Sequence, residues 1–371
     1  MASQAFRHGI TRYHNEPRLK ITIGGTDYSN YLESIDQIRR DASLSIGTVT
    51  MTLKNHNGLF NYLHAAGDAM GITATVQLYL NGAPADLHTV FSGKVEDVNY
   101  KGAVCIMRVK DHCGSLLDKP MTAARDPHIL GGSGMTVDEF VYRVLVSYGD
   151  LDSTQGTGNT DINWTSFSNW RDSYLATKDY HIQARFTDQS VGWTLLKVAQ
   201  LTHSYIWIDN SGKVAFAPPY GTGYTYDEIN TESRDLHIAV DDMINYMTVR
   251  YLYNGTTDRW EGVTGVAQNS TSIAQYGTYK YEEDSRVIYH YTQASAEEDR
   301  GQTITDLAYP IRTFDISTNI AAVCEDIGNE ITVSDTLKGI SSETAIIEQI
   351  VYELGGNAQD RKVQIFARWA W

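Results

Sequence analysis

Several groupings of side chains in this sequence have residue types that could do chemistry. Asp111, His112 and Cys113 are contiguous and offer a carboxylate, an imidazole and a thiol, which are the donors of a metal site or an activated nucleophile. Asp241-Asp242 is a carboxylate pair of the kind used in acid–base work. Glu282, Glu283 and Asp284, followed by Glu297, Glu298 and Asp299, could attract a hard cation. Residues 131–134 read Gly-Gly-Ser-Gly, a composition that can cradle phosphate. Trp164, Trp170, Trp193 and Trp207 could stack on sugar rings.

Spacing argues against most of these. Contiguous strand residues point to opposite faces, so Asp111 to Cys113 do not converge; a strand-end turn with a local hydrogen bond from Asp111 fits better. Adjacent aspartates ahead of a strand usually cap or turn, which is the expectation for Asp241 and Asp242. The acidic clusters read as solvated surface or an acidic lining. The glycine run follows no strong strand. Trp193 and Trp207 sit in a helix and a hairpin and are expected in the core, which leaves Trp164 and Trp170 as candidate contacts for a glycan or a partner. The chain contains no HExxH, GxSxG, GxxxxGK[ST] or CxxC, and its 11 histidines lack ligand spacing. No catalytic residue, metal or cofactor is expected, and the chain is expected not to be an enzyme.

The elements that would hold these residues are mostly strands. Residues 18–23, 34–40, 45–53, 73–80, 89–100 and 103–110 alternate at period two, with Gly24-Gly25, Asn81-Gly82 and Lys101-Gly102 as turns. This suggests a small barrel or sandwich. The period then changes. Residues 136–148 predict a helix, with Thr136 as N-cap, Glu139 at the capping-box position and Gly149 as the stop. Residues 150–180 read as a long loop, of the kind found at interfaces or insertions. A second helix is predicted at 190–202, leading to a hairpin at 204–208 and 213–217. Residues 218–226 read as a linker, 303–312 are ambiguous, and strands return at 247–253, 330–334, 345–354 and 362–369. The hairpin that ends the first β region is echoed by the hairpin that ends the last.

Bulk properties narrow the class. The chain has 371 residues, 42% hydrophobic and 20% charged, enough for two or three domains with ordinary cores. Tyrosine outnumbers phenylalanine 24 to 9, which suits half-exposed strands and wet interfaces. The net charge of −15, with no basic run longer than Arg39-Arg40, speaks against tight DNA binding and would repel DNA passing nearby. Three cysteines make no disulfide framework. The start lacks an apolar signal core, and no window approaches the roughly 18 apolar residues of a membrane span. Folding in the cytoplasm of whatever cell makes the chain is the expectation.

Four segments then carry a resemblance. Residues 91–118 (FSGKVEDVNYKGAVCIMRVKDHCGSLLD) run as a strand with F-x-G, a second strand ending in Asp, and an L-L-D helix start. Residues 186–218 place a helix before a hairpin with Asp-Asn-Ser-Gly-Lys at its turn. Residues 241–253 set Asn245 in an opening strand, and 272–277 read Ser-Ile-Ala-Gln-Tyr-Gly. In this order they resemble the tail hub, or baseplate hub, proteins of tailed bacteriophages and related contractile injection systems. The resemblance spans about residues 20–371; the insertion at 150–180 and the stretch 254–300 fall outside it.

The resemblance implies a mainly β chain with an α+β middle region: two small β-barrel hub domains plus an inserted α+β domain. The expected boundaries are an arm at 1–17, a first barrel at 18–118, a middle domain at 119–235 and a second barrel at 236–371. It implies a homotrimeric ring at the tail tip of a virion. The ring would meet the tail tube or a distal tail protein on one side and a spike, fibre or tape-measure protein on the other, and its lumen would pass phage DNA without specific binding. The alternatives are a receptor- or carbohydrate-binding tail-tip module using Trp164 and Trp170, and a cell-wall hydrolase using Asp241 or Asp242.

Overall fold

The computed structural model describes residues 17–42, 44, 47–61, 71–80, 87–111, 113–121, 130–185, 189–217, 222–227, 231–319, 325–355 and 361–369. All but Pro17 of the expected N-terminal arm, together with His112, lies outside them. Two seven-stranded half-barrel sheets dominate. The first runs, in spatial order, Thr26–Asp27, Pro17–Ile23, Thr73–Leu80, His88–Lys101, Val104–Asp111, Thr48–Lys54 and Leu32–Ile35. The second runs Thr222–Tyr226, Glu330–Asp335, Ile340–Glu353, Lys362–Trp369, Ile311–Asn319 and Thr231–Ala239, with Ile38–Asp41 as an additional partner of Ile340–Glu353.

Period-two burial explains why these segments are strands. In Thr48–Lys54 the residues Val49, Met51 and Leu53 are buried while their neighbours are not, and in Glu330–Asp335 Ile331 and Val333 play the same part. The apolar faces of both sheets enter one continuous core, containing Ile21, Val76 and Met107 from the first and Ile316, Ile350 and Ile365 from the second. Gly93 of the F-x-G segment is small for a reason: a Cβ there would overlap the Lys110 carbonyl oxygen across the ladder.

The two sheets repeat each other in the lengths and register of their central strands. His88–Lys101 and Ile340–Glu353 are both 14 residues long, and their hairpin partners Val104–Asp111 and Lys362–Trp369 are both 8. Lys101 faces Val104 as Glu353 faces Lys362. The register shifts between Val95 and Asp97 in one hairpin and between Ile347 and Gln349 in the other, at the same strand position. The bulged residue is a glutamate each time; Glu96 pairs with Arg108 at 3.5 Å, and Glu348 pairs with Arg368, which stands at the position of Lys110, at 2.9 Å. The flanking strands follow suit: Thr48 faces Lys110 as Thr313 faces Arg368, and Leu32 faces Leu53 as Thr231 faces Thr318. The echo in the sequence is thus a structural duplication.

A middle α+β region, its strands paired antiparallel, has its own core. The helix Val137–Arg143, continued by a wide turn over Val144–Tyr148, packs with the helix Val191–Leu201 and the strand His181–Ala184. Thr136 ends a strand, Leu130–Thr136, that contains the glycine run, and its side chain makes no cap bond. The hairpin of Tyr205–Ile208 and Val214–Ala217 is a partition: Tyr205, Trp207 and Ala215 face the sheet core, while Ile206, Ile208, Val214 and Phe216 face the middle core.

Several expectations change here. The segment read as one strand at 34–40 divides: Leu32–Ile35 stays in the first sheet, and Ile38–Asp41 crosses to the second. The expected loop at 150–180 contains the helix Trp164–Asn169 and further helical turns to Thr177. The expected linker contains the strand Thr222–Tyr226. The expected boundary between 235 and 236 falls inside the strand Thr231–Ala239. That strand pairs directly with Ile311–Asn319, so residues 240–310 form an excursion between paired strands. The excursion carries Tyr246–Asn254 at the centre of its own small sheet and the helix Gln293–Leu307.

Candidate functional site

A buried cluster of ionisable groups joins the excursion to the middle region. It was not anticipated, because its members are far apart in sequence. His203 follows the helix Val191–Leu201 with a left-handed backbone, φ 51°. That turn aims its ring at the helix Gln293–Leu307. Nε2 lies 3.1 Å from Asp299 Oδ1 and Nδ1 lies 3.0 Å from Asp306 Oδ2. His290 Nε2 lies 3.1 Å from Asp299 Oδ2, and its Nδ1 lies 2.7 Å from Ser295 Oγ. Burial by itself would lower the His203 pKa, but the two aspartates outweigh it and hold the ring up to about 9. Burial by itself would raise Asp299, but the two imidazoles hold it down to about 2.

Ser295, His290 and Asp299 have the connectivity of a nucleophile, base and orienting acid. Burial removes that chemistry. Ser295 has no exposed surface and His290 is 1% exposed. The Ser295 hydroxyl oxygen also accepts the His181 amide at 3.0 Å. The hydroxyl is sealed from solvent, and the network clamps three segments of the chain together. Asp299, expected as solvated surface or lining, is therefore a buried partner of two histidines. The signal was available as a polar stripe, Ser295, Asp299, Thr303 and Asp306, on one face of a helix.

Beside the clamp a cleft of about 810 Å³ opens between the middle region, the excursion and the second sheet, lined among others by Lys197, Tyr279, Arg368, Asp241 and Asp242. Asp241 and Asp242 are exposed at its rim, in a turn closed by the Met243 amide donating to the Val240 carbonyl at 3.1 Å. Among the described residues, no group of three His, Cys, Asp or Glu side chains is arranged to hold a metal ion, and no helix is long and apolar enough to cross a membrane.

The other candidates fall as follows. Asp111 is buried and its carboxylate accepts the Gly47 amide at 2.5 Å, a long-range contact rather than the local bond expected; burial pushes its pKa up to about 7. The Cys113 thiol, also buried, donates to the Asp161 carbonyl at 3.3 Å. Trp170 has no exposure, stacks on Phe216 at 5.2 Å and donates Nε1–H to Ser204 Oγ at 2.8 Å, so no sugar can stack on it. Trp164 is half-buried against Tyr142, edge to face at 6.1 Å. Trp207 is buried as expected, whereas Trp193 is 37% exposed.

Two of the resembling segments meet in space. Asn245 is fully buried. Its Nδ2 donates to the Gly277 carbonyl at 2.7 Å and to Ser272 Oγ at 3.1 Å, and its Oδ1 accepts the Tyr279 amide at 2.7 Å. Gly277 has φ 88°, which explains the glycine that ends Ser-Ile-Ala-Gln-Tyr-Gly. The apolar core of the excursion is small, with Met247, Val249 and Ala296 buried, so this polar knot weighs heavily. Asn245→Ala is expected to lower stability by about 3 kcal/mol, since it strands buried donors and acceptors. Urea unfolding together with limited proteolysis of residues 240–310 measures it; a loss under about 1 kcal/mol with no new cleavage contradicts the assignment.

No family model and no curated protein matches this chain in sequence. Solved structures do match its fold. A 43 kDa prophage tail protein from Shewanella oneidensis superposes with TM-score 0.57 at 12% identity over 95% of this chain and 98% of that one. A tail protein from Neisseria meningitidis gives 0.58 at 13%, over 95% and 96%. A prophage tail protein from Listeria monocytogenes gives 0.53 at 9%, over 95% and 94%. The likeness runs over 95% of the chain and is one of fold.

Proposed function

We propose that this chain is a structural subunit of a phage-type tail, specifically a hub that forms a homotrimeric ring at the tail tip. The observation that carries the proposal is the duplicated half-barrel, with matching strand lengths, registers and bulges. A chain holding two equivalent units gives a trimer six equivalent surfaces, which suits contact with a roughly six-fold tail tube. One side of the ring joins the tail tube or a distal tail protein, and the other carries a spike, fibre or tape-measure protein. The acidic balance, −15 per chain, suits a lumen through which DNA slides without being held. Synthesis in the host cytoplasm and residence at the virion tail tip follow from the same role.

The proposed role is not enzymatic. The triad-like grouping at Ser295, His290 and Asp299 is sealed from solvent, and Asp241 and Asp242 form a turn. Mass photometry of the purified chain, with a peptidoglycan digestion assay on the same sample, tests both parts. Trimers and no release of cell-wall fragments are expected. Lysis abolished by Asp241→Asn or Asp242→Asn would overturn the structural role in favour of a hydrolase.

A further inference from the structure

One difference between the two units lies at a sheet edge that no strand among the described residues completes. In the second sheet, the strand Ile340–Glu353 pairs with Glu330–Asp335 along its first half. Beyond the bulge, the same edge is completed by Ile38–Asp41 of the first unit, antiparallel, with Asp41 opposite Gln349, Arg40 opposite Ile350 and Arg39 opposite Val351. In the first sheet, His88–Lys101 pairs with Thr73–Leu80 along the same first half. Beyond its bulge, no strand among the described residues occupies the matching edge at Asp97, Val98 and Asn99. Asp97 and Asn99 are exposed there.

The strand that would complete it can be read from the repeat. Leu32, Ser34 and Ile35 correspond in register to Thr231, Ser233 and Arg234. Counting on from Ile35 to Ile38–Asp41 and from Arg234 by the same step gives residues 237–240. Among the described residues this segment ends an edge strand with a single neighbour, Ile311–Asn319. It also carries exposed apolar side chains, Ile238 at 60% and Val240 at 41%. An uncovered edge with apolar side chains is a template for another chain.

We propose that residues 237–240 of one copy pair antiparallel with residues 97–99 of a second copy, with Val240 opposite Asp97, Ala239 opposite Val98 and Ile238 opposite Asn99. The inference rests on the ring reading above and names its contact. The partner is a second copy because the same junction already exists within the chain, between the first unit and the second. Repeating it between chains is head-to-tail, so it closes into a ring when the rotation allows. Backbone bonds supply the join, and the pairing removes the exposed Ile238 and Val240 from solvent.

Cysteine pairing tests this in the full-length chain. Val98→Cys with Ala239→Cys places two Cα atoms at cross-strand distance, within disulfide reach. Mild oxidation is expected to convert the trimer to a covalent ladder on non-reducing gels. Either single variant, or Lys94→Cys with Ala239→Cys, which lies about 13 Å out of register, is expected to stay unlinked. Ile238→Asp, at a position exposed in the single chain, is expected to weaken self-association about tenfold while leaving the far-UV spectrum unchanged. A ring that forms but leaves the Val98/Ala239 pair unlinked, or links the off-register pair equally, overturns this contact and leaves the ring reading standing. A chain that stays monomeric at high concentration overturns both.

Discussion

Arg40→Ala is expected to destabilise the protein by about 3 kcal/mol, because it empties a buried charge position where three parts of the chain meet. Arg40 is 7% exposed on the crossing strand Ile38–Asp41. Its guanidinium is bonded to Asp326, lies 3.4 Å from the Ile208 carbonyl and 3.5 Å from the Tyr352 hydroxyl. Asp326 and Tyr352 belong to the second sheet region, and Ile208 ends the first strand of the partition hairpin. Asp111 at the end of the first hairpin and Asp209 also feel its charge. Removing it leaves these carboxylates without their cation, and that uncompensated charge is the main cost. Asp326 is 35% exposed, so water takes up part of its share and the estimate stays at the lower end.

The pH dependence gives a second readout of the same substitution. Asp111 already titrates near 7 because burial disfavours its charge, and Arg40 opposes that shift. A carboxyl with a raised folded pKa favours the folded state less as pH climbs through that pKa. Without Arg40 the penalty deepens, so the loss in Arg40→Ala should be larger at pH 8 than at pH 5. Urea midpoints at the two pH values measure it. A loss below about 1 kcal/mol at both would show that Arg40 does not hold this junction.

Arg40 also shows what the sequence could and could not reveal. Alternation identified residues near it as a strand, and most strands were legible in this way because one face of each is buried. Periodicity does not say which sheet a strand joins. The departure of Ile38–Asp41 into the second sheet depends on partners some 300 residues away. The helical aromatics Trp164, Phe167, Trp170 and Tyr174 were obscured by the polar residues around them, and only their spacing of three to four betrayed a buried face. The helix Gln293–Leu307 hid for the opposite reason: part of its inward face is Ser295, Asp299 and Thr303, which reads as surface. By contrast, Asn245 and the Ser-Ile-Ala-Gln-Tyr-Gly segment were legible as motifs, and their contact explains why both appear together.

Asp299→Asn is expected to cost about 3 kcal/mol near pH 6 and to flatten the alkaline side of the stability profile. Asp299 is 4% exposed and bonded to His203 and His290 at once. The raised pKa of His203 and the lowered pKa of Asp299 have largely the same cause, the contact between the two. His203, ordinarily near 6.5, is held up to about 9. A histidine raised on folding contributes stability that is fully present below its ordinary pKa and lost as pH rises through the folded value. Asp299, ordinarily near 3.8, is held down to about 2, so its contribution is present above 3.8 and lost as pH falls through 2. The wild type should therefore be most stabilised by this clamp between about pH 4 and 6.5 and weaken toward pH 9. In Asp299→Asn only Asp306 still faces His203 as a carboxylate, and the decline between pH 6.5 and 9 should shrink. Urea unfolding across pH 5 to 9, with the His203 ring titrated by NMR, tests the claim. An unchanged slope, or a His203 pKa that stays near 9 in the variant, would show that Asp299 is not what charges the ring.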